Sequence, residues 1–128
     1  MKILFDSDIL FALYVASDAL HLKSKKDFQK YLAQKADFFI TNLVLQETAT
    51  VLSYKFGQRT ALNFLKRVKN LGAKEIFVSQ KATIKAWEIF QAQKKKGTSF
   101  IDCANIAVYQ EFKLDKIFSF DKFYQKRH

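Results

Sequence analysis

The sequence predicts an α/β fold, a short parallel sheet flanked by helices, and three observations carry that prediction. Four short apolar runs rich in Ile or Phe, at about residues 2–5, 37–40, 75–78 and 116–119, have the length and composition of buried strands. The stretches between them place apolar residues at helical spacing, and strands that alternate with helices build parallel sheets. Carboxylates fall just past the first and last runs, Asp6 after KILF and Asp121 after KIFSF. The carboxyl ends of the strands are where an open α/β sheet binds its ligands.

The helices follow in order. Asp8 is placed to cap a helix through Ile9 to Ala16, and a second helix starts near Ser17 or Asp18 and turns Leu20, Phe28, Tyr31 and Leu32 inward. Asn42 is placed to cap a helix that contains Glu47 and stops near Gly57. Residues 58–71 set Ala61, Leu62, Leu65 and Val68 at helical spacing and end at Gly72. Residues 80–95 do the same with Ala82, Ala86, Ile89 and Phe90, ending in a lysine run before Gly97. Thr98 or Ser99 then caps the helix that carries Asp102.

A chain of 128 residues with 49% hydrophobic content is expected to form one domain over residues 1–128, and the absence of proline with only three glycines leaves no linker-like stretch. A lone Cys103 excludes an internal disulfide or a cysteine-built zinc site and reads as a small buried side chain in a reducing setting. The N-terminus superficially imitates a secretory signal, but Asp6 and Asp8 interrupt its apolar stretch, and no run approaches the ~20 residues of a membrane span. A soluble protein of the cytoplasm, without membrane contact, is expected.

Charge points to a polyanionic partner. The net charge is +10, from 22 Lys and Arg against 12 Asp and Glu. The bases cluster at Lys23, Lys25, Lys26 and Lys30, at Lys66, Arg67 and Lys69, at Lys94 to Lys96, and at Lys122, Lys126 and Arg127. Any one cluster is explained as the solvated face of a helix; the total excess is not.

Four acids stand at structurally punctuated places: Asp6, Glu47, Asp102 and Asp121. The first and last follow strands, whereas Glu47 and Asp102 approach from helix N-terminal turns, where negative charge is favoured even without a metal. Brought together, four anions repel and push protons onto one another unless a divalent cation neutralises them. An all-oxygen set favours Mg²⁺ or Mn²⁺ over zinc.

With these residues in place, the chain resembles PIN-domain ribonucleases and, in its small size, VapC-type toxins of toxin–antitoxin pairs. ILFDSDIL is similar to the family's first strand and its acid, NLVLQE to the helix with the second acid, and SFIDCANIAVYQ followed by IFSFDKFY to the closing signature. The resemblance implies a three-layer sandwich around a short parallel sheet, Mg²⁺- or Mn²⁺-dependent cleavage of RNA, homodimers and a cognate antitoxin. It assigns Asp6, Glu47, Asp102 and Asp121 as catalytic metal ligands, with Glu47 either ligating or holding a metal-bound water. Asp8, as a cap or a holder of metal-associated water, with Asn105 and Ser119, are candidates to orient those groups. Seven residues follow Asp121, where many relatives continue into another strand.

The histidine count agrees independently. A metal-free ribonuclease commonly uses two groups that titrate near neutral pH, and this chain has only His21 and the terminal His128, each read as solvated or capping. Water as nucleophile predicts 5′-phosphate and 3′-hydroxyl ends. Two rivals follow from the same residues. FDSD after a strand also opens haloacid-dehalogenase-type phosphatases, but Leu10 stands where that family expects Thr or Val. A catalytically inactive RNA- or antitoxin-binding module of the same fold would have no physical reason to gather four carboxylates.

Overall fold

The computed structural model describes residues 1–125; Lys126, Arg127 and His128, two of them assigned above to a basic cluster, lie outside the described residues. Among the described residues, the order is β1 (Lys2–Phe5), α1 (Ser7–Tyr14), α2 (His21–Ala33), β2 (Asp37–Thr41), α3 (Asn42–Phe56), α4 (Gln58–Asn70), β3 (Lys74–Ile76), α5 (Gln80–Gln91), α6 (Phe100–Glu111) and β4 (Lys116–Phe118), closed by a 3₁₀ turn at Lys122–Tyr124. The expected strands are all present, displaced by no more than two residues at any end.

The four strands form one sheet in the order β3-β2-β1-β4, and every pairing is parallel. From β1 to β2 to β3 the chain steps in one direction, and it then returns across the sheet to place β4 on the far side of β1. Parallel crossovers are almost always right-handed, so a reversal of direction moves the connecting helices to the other face. Two separate cores result. Ile3, Phe5, Phe38, Ile40 and Phe118 pack with residues of α1 to α4, including Leu10, Tyr31, Val44 and Phe64. Leu4 and Ile117, which point the other way from the same strands, pack with Ala82, Ala86, Cys103, Ala104, Ala107 and Tyr124. The period-2 alternation of a strand is what divides neighbouring residues between the two layers.

The reversal creates a switch point between β1 and β4. The strands are in register there, Phe5 against Phe118, and the Asp6 backbone N–H donates to the Phe118 carbonyl at 3.1 Å. At the other end Asp115 Oδ2 accepts from the Lys2 backbone N–H at 2.7 Å. The loops leaving β1 and β4 therefore share one crevice.

Several local expectations are corrected. Asp6, not Asp8, is the N-cap of α1: β1 ends at Phe5, and the Asp6 carboxylate accepts from the Ser7 N–H at 2.8 Å. Asp8 lies within the first turn and accepts from the Ile9 N–H. Thr41 caps α3 by accepting from the Val44 N–H, while the Asn42 amide oxygen accepts from the Val78 N–H and ties α3 to the segment after β3. Ser99 is the cap of α6, accepting from the Ile101 N–H at 3.0 Å. Leu20 and Leu32 are exposed, because α2 begins only at His21 and presents Ser24 and Tyr31 to the core. Leu62 and Leu65 are exposed too, and Phe64 takes the buried position of α4. The helix from residue 80 ends at Gln91, short of the lysines. Gly57 alone separates α3 from α4 at φ 97° and ψ 165°, a conformation essentially reserved for glycine that costs other residues roughly 1–3 kcal/mol.

Candidate active site

Asp6 is the centre of a hydrogen-bonded group at the carboxyl ends of β1 and β4, and it is only 3% exposed. Two elements bond to it, and a third joins the group through Asn105. From α6, the Asn105 side-chain N–H₂ donates to Asp6 Oδ1 at 3.1 Å and to the Tyr124 hydroxyl at 3.0 Å. From the loop after β4, Ser119 Oγ stands 3.0 Å from Asp6 Oδ2 and 3.1 Å from each Asp8 oxygen. From the 3₁₀ turn, the Tyr124 hydroxyl donates to Asp102 Oδ1 at 3.1 Å. Asp8 is held by the Phe120 backbone N–H at 2.9 Å, so the α1 end and the loop after β4 are tied from both sides.

Counting protons shows what this arrangement asks for. The Ser119 hydroxyl accepts from the Asp121 N–H and has a single proton to give, yet it faces two carboxylates. Either one acid holds a proton or a cation makes up the deficit. The pKa directions agree. Burial first, then the charge of Asp8 and, more weakly, that of Asp102 push Asp6 up to about 7, against lowering hydrogen bonds from the Ser7 N–H and Ser119. Burial chiefly, with the charges of Asp121 and Glu47, pushes Asp102 up to about 6 even though Tyr124 donates to it. Asp8 is raised by burial and by Asp121. The phenol of Tyr124 is raised by its burial and by Asp6 and Asp102, so it remains a neutral donor.

Asp121 is exposed at the head of the 3₁₀ turn, which it caps by accepting from the Phe123 N–H at 2.9 Å. Glu47 is half-buried in the second turn of α3, one turn further along than an N-terminal position. It lines a shallow cavity of about 350 Å³ with Ser7, Asp8, Phe11, Thr48 and Lys55. Asp6, Asp8 and Asp102 are thus joined through Asn105, Ser119 and Tyr124, while Glu47 and Asp121 act on them by charge across the crevice. Among the described residues, no three acidic, histidine or cysteine side chains already converge into a metal-binding group. The donors nevertheless suit Mg²⁺ or Mn²⁺, since all are oxygens and the acids raise one another's proton affinity. A further buried oxygen, Asn105 Oδ1, has no hydrogen-bond partner among the described residues.

Tyr124 escaped the sequence reading. Its hydroxyl lies in the middle of the group and its ring is buried against the α5–α6 layer. The available signal was an aromatic residue with a polar tip one 3₁₀ turn beyond Asp121. His21 is structural: its Nδ1 lies 2.7 Å from the Ala12 carbonyl at the start of α2. Cys103 is fully buried, as its reading required.

A four-stranded parallel sheet with acids gathered at its switch point defines a class, and comparison identifies it: residues 3–127 match the PIN domain family model, and the chain belongs to that family. The haloacid-dehalogenase reading is thereby set aside. A VapC ribonuclease of Archaeoglobus fulgidus is 33% identical over 124 residues, covering 94% of this chain and 78% of its own length. VapC20 of Mycobacterium tuberculosis, described as a Sarcin-Ricin loop cleaving toxin, superposes with a TM-score of 0.83 at 25% identity, over 97% of this chain and 93% of that one. VapBC2 of Rickettsia felis, bound to a promoter DNA fragment, shares the fold with a TM-score of 0.74 at 14% identity, covering 99% of this chain and 93% of that one. No helix among the described residues is long and apolar enough to cross a membrane.

Proposed function

We propose that this protein is a divalent-metal-dependent endoribonuclease and the toxin of a toxin–antitoxin pair. The observation that carries the reading is the buried Asp6 in the β1–β4 crevice, with Asp8 and Asp102 raising its proton affinity. The relationship to a VapC ribonuclease supports RNA as substrate, and the toxin–antitoxin complex of Klebsiella pneumoniae, alike in fold at TM-score 0.67 and 16% identity over 95% of this chain and 89% of that one, supports an antitoxin partner. A homodimer in the cytoplasm, each chain a single unit over residues 1–128, completes the proposal.

Asp6, Asp102 and Asp121 would hold Mg²⁺ or Mn²⁺, with Glu47 as a further ligand or the holder of a bound water. When bound there, the cation supplies activation of the attacking water, neutralisation of the phosphate and relief of charge on the departing oxygen. The chain's own groups do the rest. Asn105 fixes the Asp6 carboxylate by donating to Oδ1, which leaves Oδ2 to Ser119 and the crevice. Tyr124 fixes Asp102 in the same way, helped by the Ser99 backbone N–H. Lys55 lines the cavity beside Glu47 with its ammonium over the Phe11 ring at 5.2 Å, and Lys23 lies over the Phe120 ring at 5.1 Å. Both offer positive charge to a phosphate backbone.

The test is cleavage of total cellular RNA by purified protein with Mn²⁺ or Mg²⁺, against EDTA and Asp102→Asn, with the product ends identified. Discrete fragments with 5′-phosphates, lost in both controls, are expected; a loss of about 10³-fold corresponds to several kcal/mol of transition-state stabilisation. Cleavage that persists in EDTA overturns the metal-dependent reading. In parallel, Mn²⁺ should raise the Tm of the wild type and not of Asp102→Asn.

A further inference from the structure

On the α5–α6 pair lies an aromatic group that the acid network does not use, and of which only Phe100 packs against the core. Trp87 and Phe90 are on α5, and Phe100 opens α6 two residues before Asp102. The rings of Trp87 and Phe100 have centroids 4.1 Å apart, and Phe90 meets Trp87 edge-on at 5.6 Å. Trp87 is 47% exposed and Phe90 36% exposed. The buried side of α5 is already supplied by Ala82 and Ala86, so Trp87 and Phe90 are not needed to close the core, whereas Phe100 packs against it. Phe100 and Phe90 each support part of the indole, and about half of it is left to solvent.

The same end of the helix pair carries concentrated positive charge. Lys94, Lys95 and Lys96 form the exposed connection from α5 to α6, flanked by Phe90 on one side and Phe100 on the other. Among the described residues the ion pair present is Lys85–Glu88, so no carboxylate neutralises the three lysines. Exposed rings beside uncompensated lysines are the combination that binds single-stranded nucleic acid: bases stack on the rings, and the phosphates lie along the cations. A protein surface docking here would have to bring matching acids to the lysines as well as cover the rings, whereas RNA supplies both a π-face and negative charge at every nucleotide.

We propose that Trp87, Phe90 and Phe100, with Lys94 to Lys96, form a stacking platform for unpaired bases of RNA on the α5–α6 pair, at the end of α6 from which Asp102 comes. The proposal rests on the ribonuclease reading for its choice of RNA and adds to it a surface that holds unstacked bases of the strand. Duplex RNA, whose bases are covered, binds the lysines but not the rings.

Trp87 is the only tryptophan in the chain and so reports on its own surroundings. The experiment titrates Asp102→Asn protein, with Mg²⁺ present, with a short unstructured oligoadenylate and with the same strand in a duplex, following tryptophan fluorescence and the anisotropy of labelled RNA. The single strand is expected to quench Trp87 and the duplex to leave it largely unchanged. Trp87→Ala should weaken single-strand affinity on the order of tenfold to a hundredfold, the span of base–aromatic stacking, and Trp87→Phe should retain part of it. Lys94, Lys95 and Lys96 changed together to Gln should lower the slope of log affinity against log salt by about 0.7 for each phosphate contact removed. Melting curves of each variant verify folding. Unquenched fluorescence with unchanged affinity in Trp87→Ala overturns the platform, and a dimer that becomes a monomer in sedimentation on the same change assigns the rings to a protein interface. If the wild type fails to cleave RNA in any metal while single strands still quench Trp87, the platform stands and the ribonuclease reading falls. Metal-dependent cleavage without quenching leaves the reverse.

Discussion

The two faces of the sheet are built from different materials. On the α1–α4 face the core is large and aromatic: Phe5 stacks on Phe38 with centroids 5.0 Å apart, Tyr31 meets Phe118 edge-on, and Phe64 fills the space under α4. On the α5–α6 face the core is small: Ala82, Ala86, Cys103, Ala104 and Ala107 let the two helices lie close to each other and to the sheet. Closeness is what lets Asn105 reach Asp6 across the strand ends and Tyr124 reach Asp102. The first face supplies stability that depends little on detail; the second sets the position of the acids to within a hydrogen bond.

The largest effect is expected on the aromatic face. Phe64→Ala removes a ring that is 1% exposed and should cost about 3–5 kcal/mol in urea unfolding. Metal affinity per folded molecule should stay within about twofold, since sites without shared partners are nearly additive. A site that fails together with Phe64 would erase the distinction between the faces. Tyr124→Phe tests the other face with the removal of a single oxygen. It removes the partner of one Asn105 N–H and one hydrogen bond to Asp102, at about 1–3 kcal/mol of stability. Mn²⁺ affinity, measured calorimetrically, should fall about 10- to 100-fold, the usual effect of losing a group that orients a ligand. If Mn²⁺ binds normally, the hydroxyl serves packing alone.

The smallest expected effect concerns the seam between the faces and needs no substitution. Asp6 and Asp102 are raised in the folded protein, to about 7 and about 6, from a starting value of 3.8. An acid with a raised folded pKa favours the folded state below its unfolded pKa and loses that contribution as pH rises through the folded value. In EDTA, Tm should therefore climb by a few degrees as pH is lowered from about 8 to about 5. Saturating Mg²⁺ should flatten the profile by offsetting the charge at high pH. A metal-free Tm that is constant or falls over that range would show that burial and the neighbouring charges do not raise these acids.

Much of this was legible in the sequence because it depends on local pattern. The strands and the acids that follow them stand out, as apolar runs closed by charge do anywhere. What was misread depended on partners distant in the chain. Asp6 and Asp8 are equally good caps by composition; the choice falls to Asp6 because pairing with β4 ends β1 at Phe5. Phe28 and Tyr31 of α2 do face the core, but Leu20 and Leu32 do not, because the helix starts only at His21, after a turn in which Asp18 accepts from the Leu20 N–H. The role of Tyr124 depends on how near α6 lies to the sheet, which the alanines allow but do not announce.

Asp6 terminates a strand, starts a helix and carries a charge that its surroundings oppose. Anyone who wants a stable, silent stand-in for this protein, to be crystallised with an intact RNA or a captured antitoxin, should therefore choose Asp6→Asn over Asp6→Ala. Asparagine caps a helix as well as aspartate does, and it brings no charge into the crevice. The resulting chain is expected to be sturdier than its parent in the absence of metal, because the charge that burial and the neighbouring acids oppose is gone.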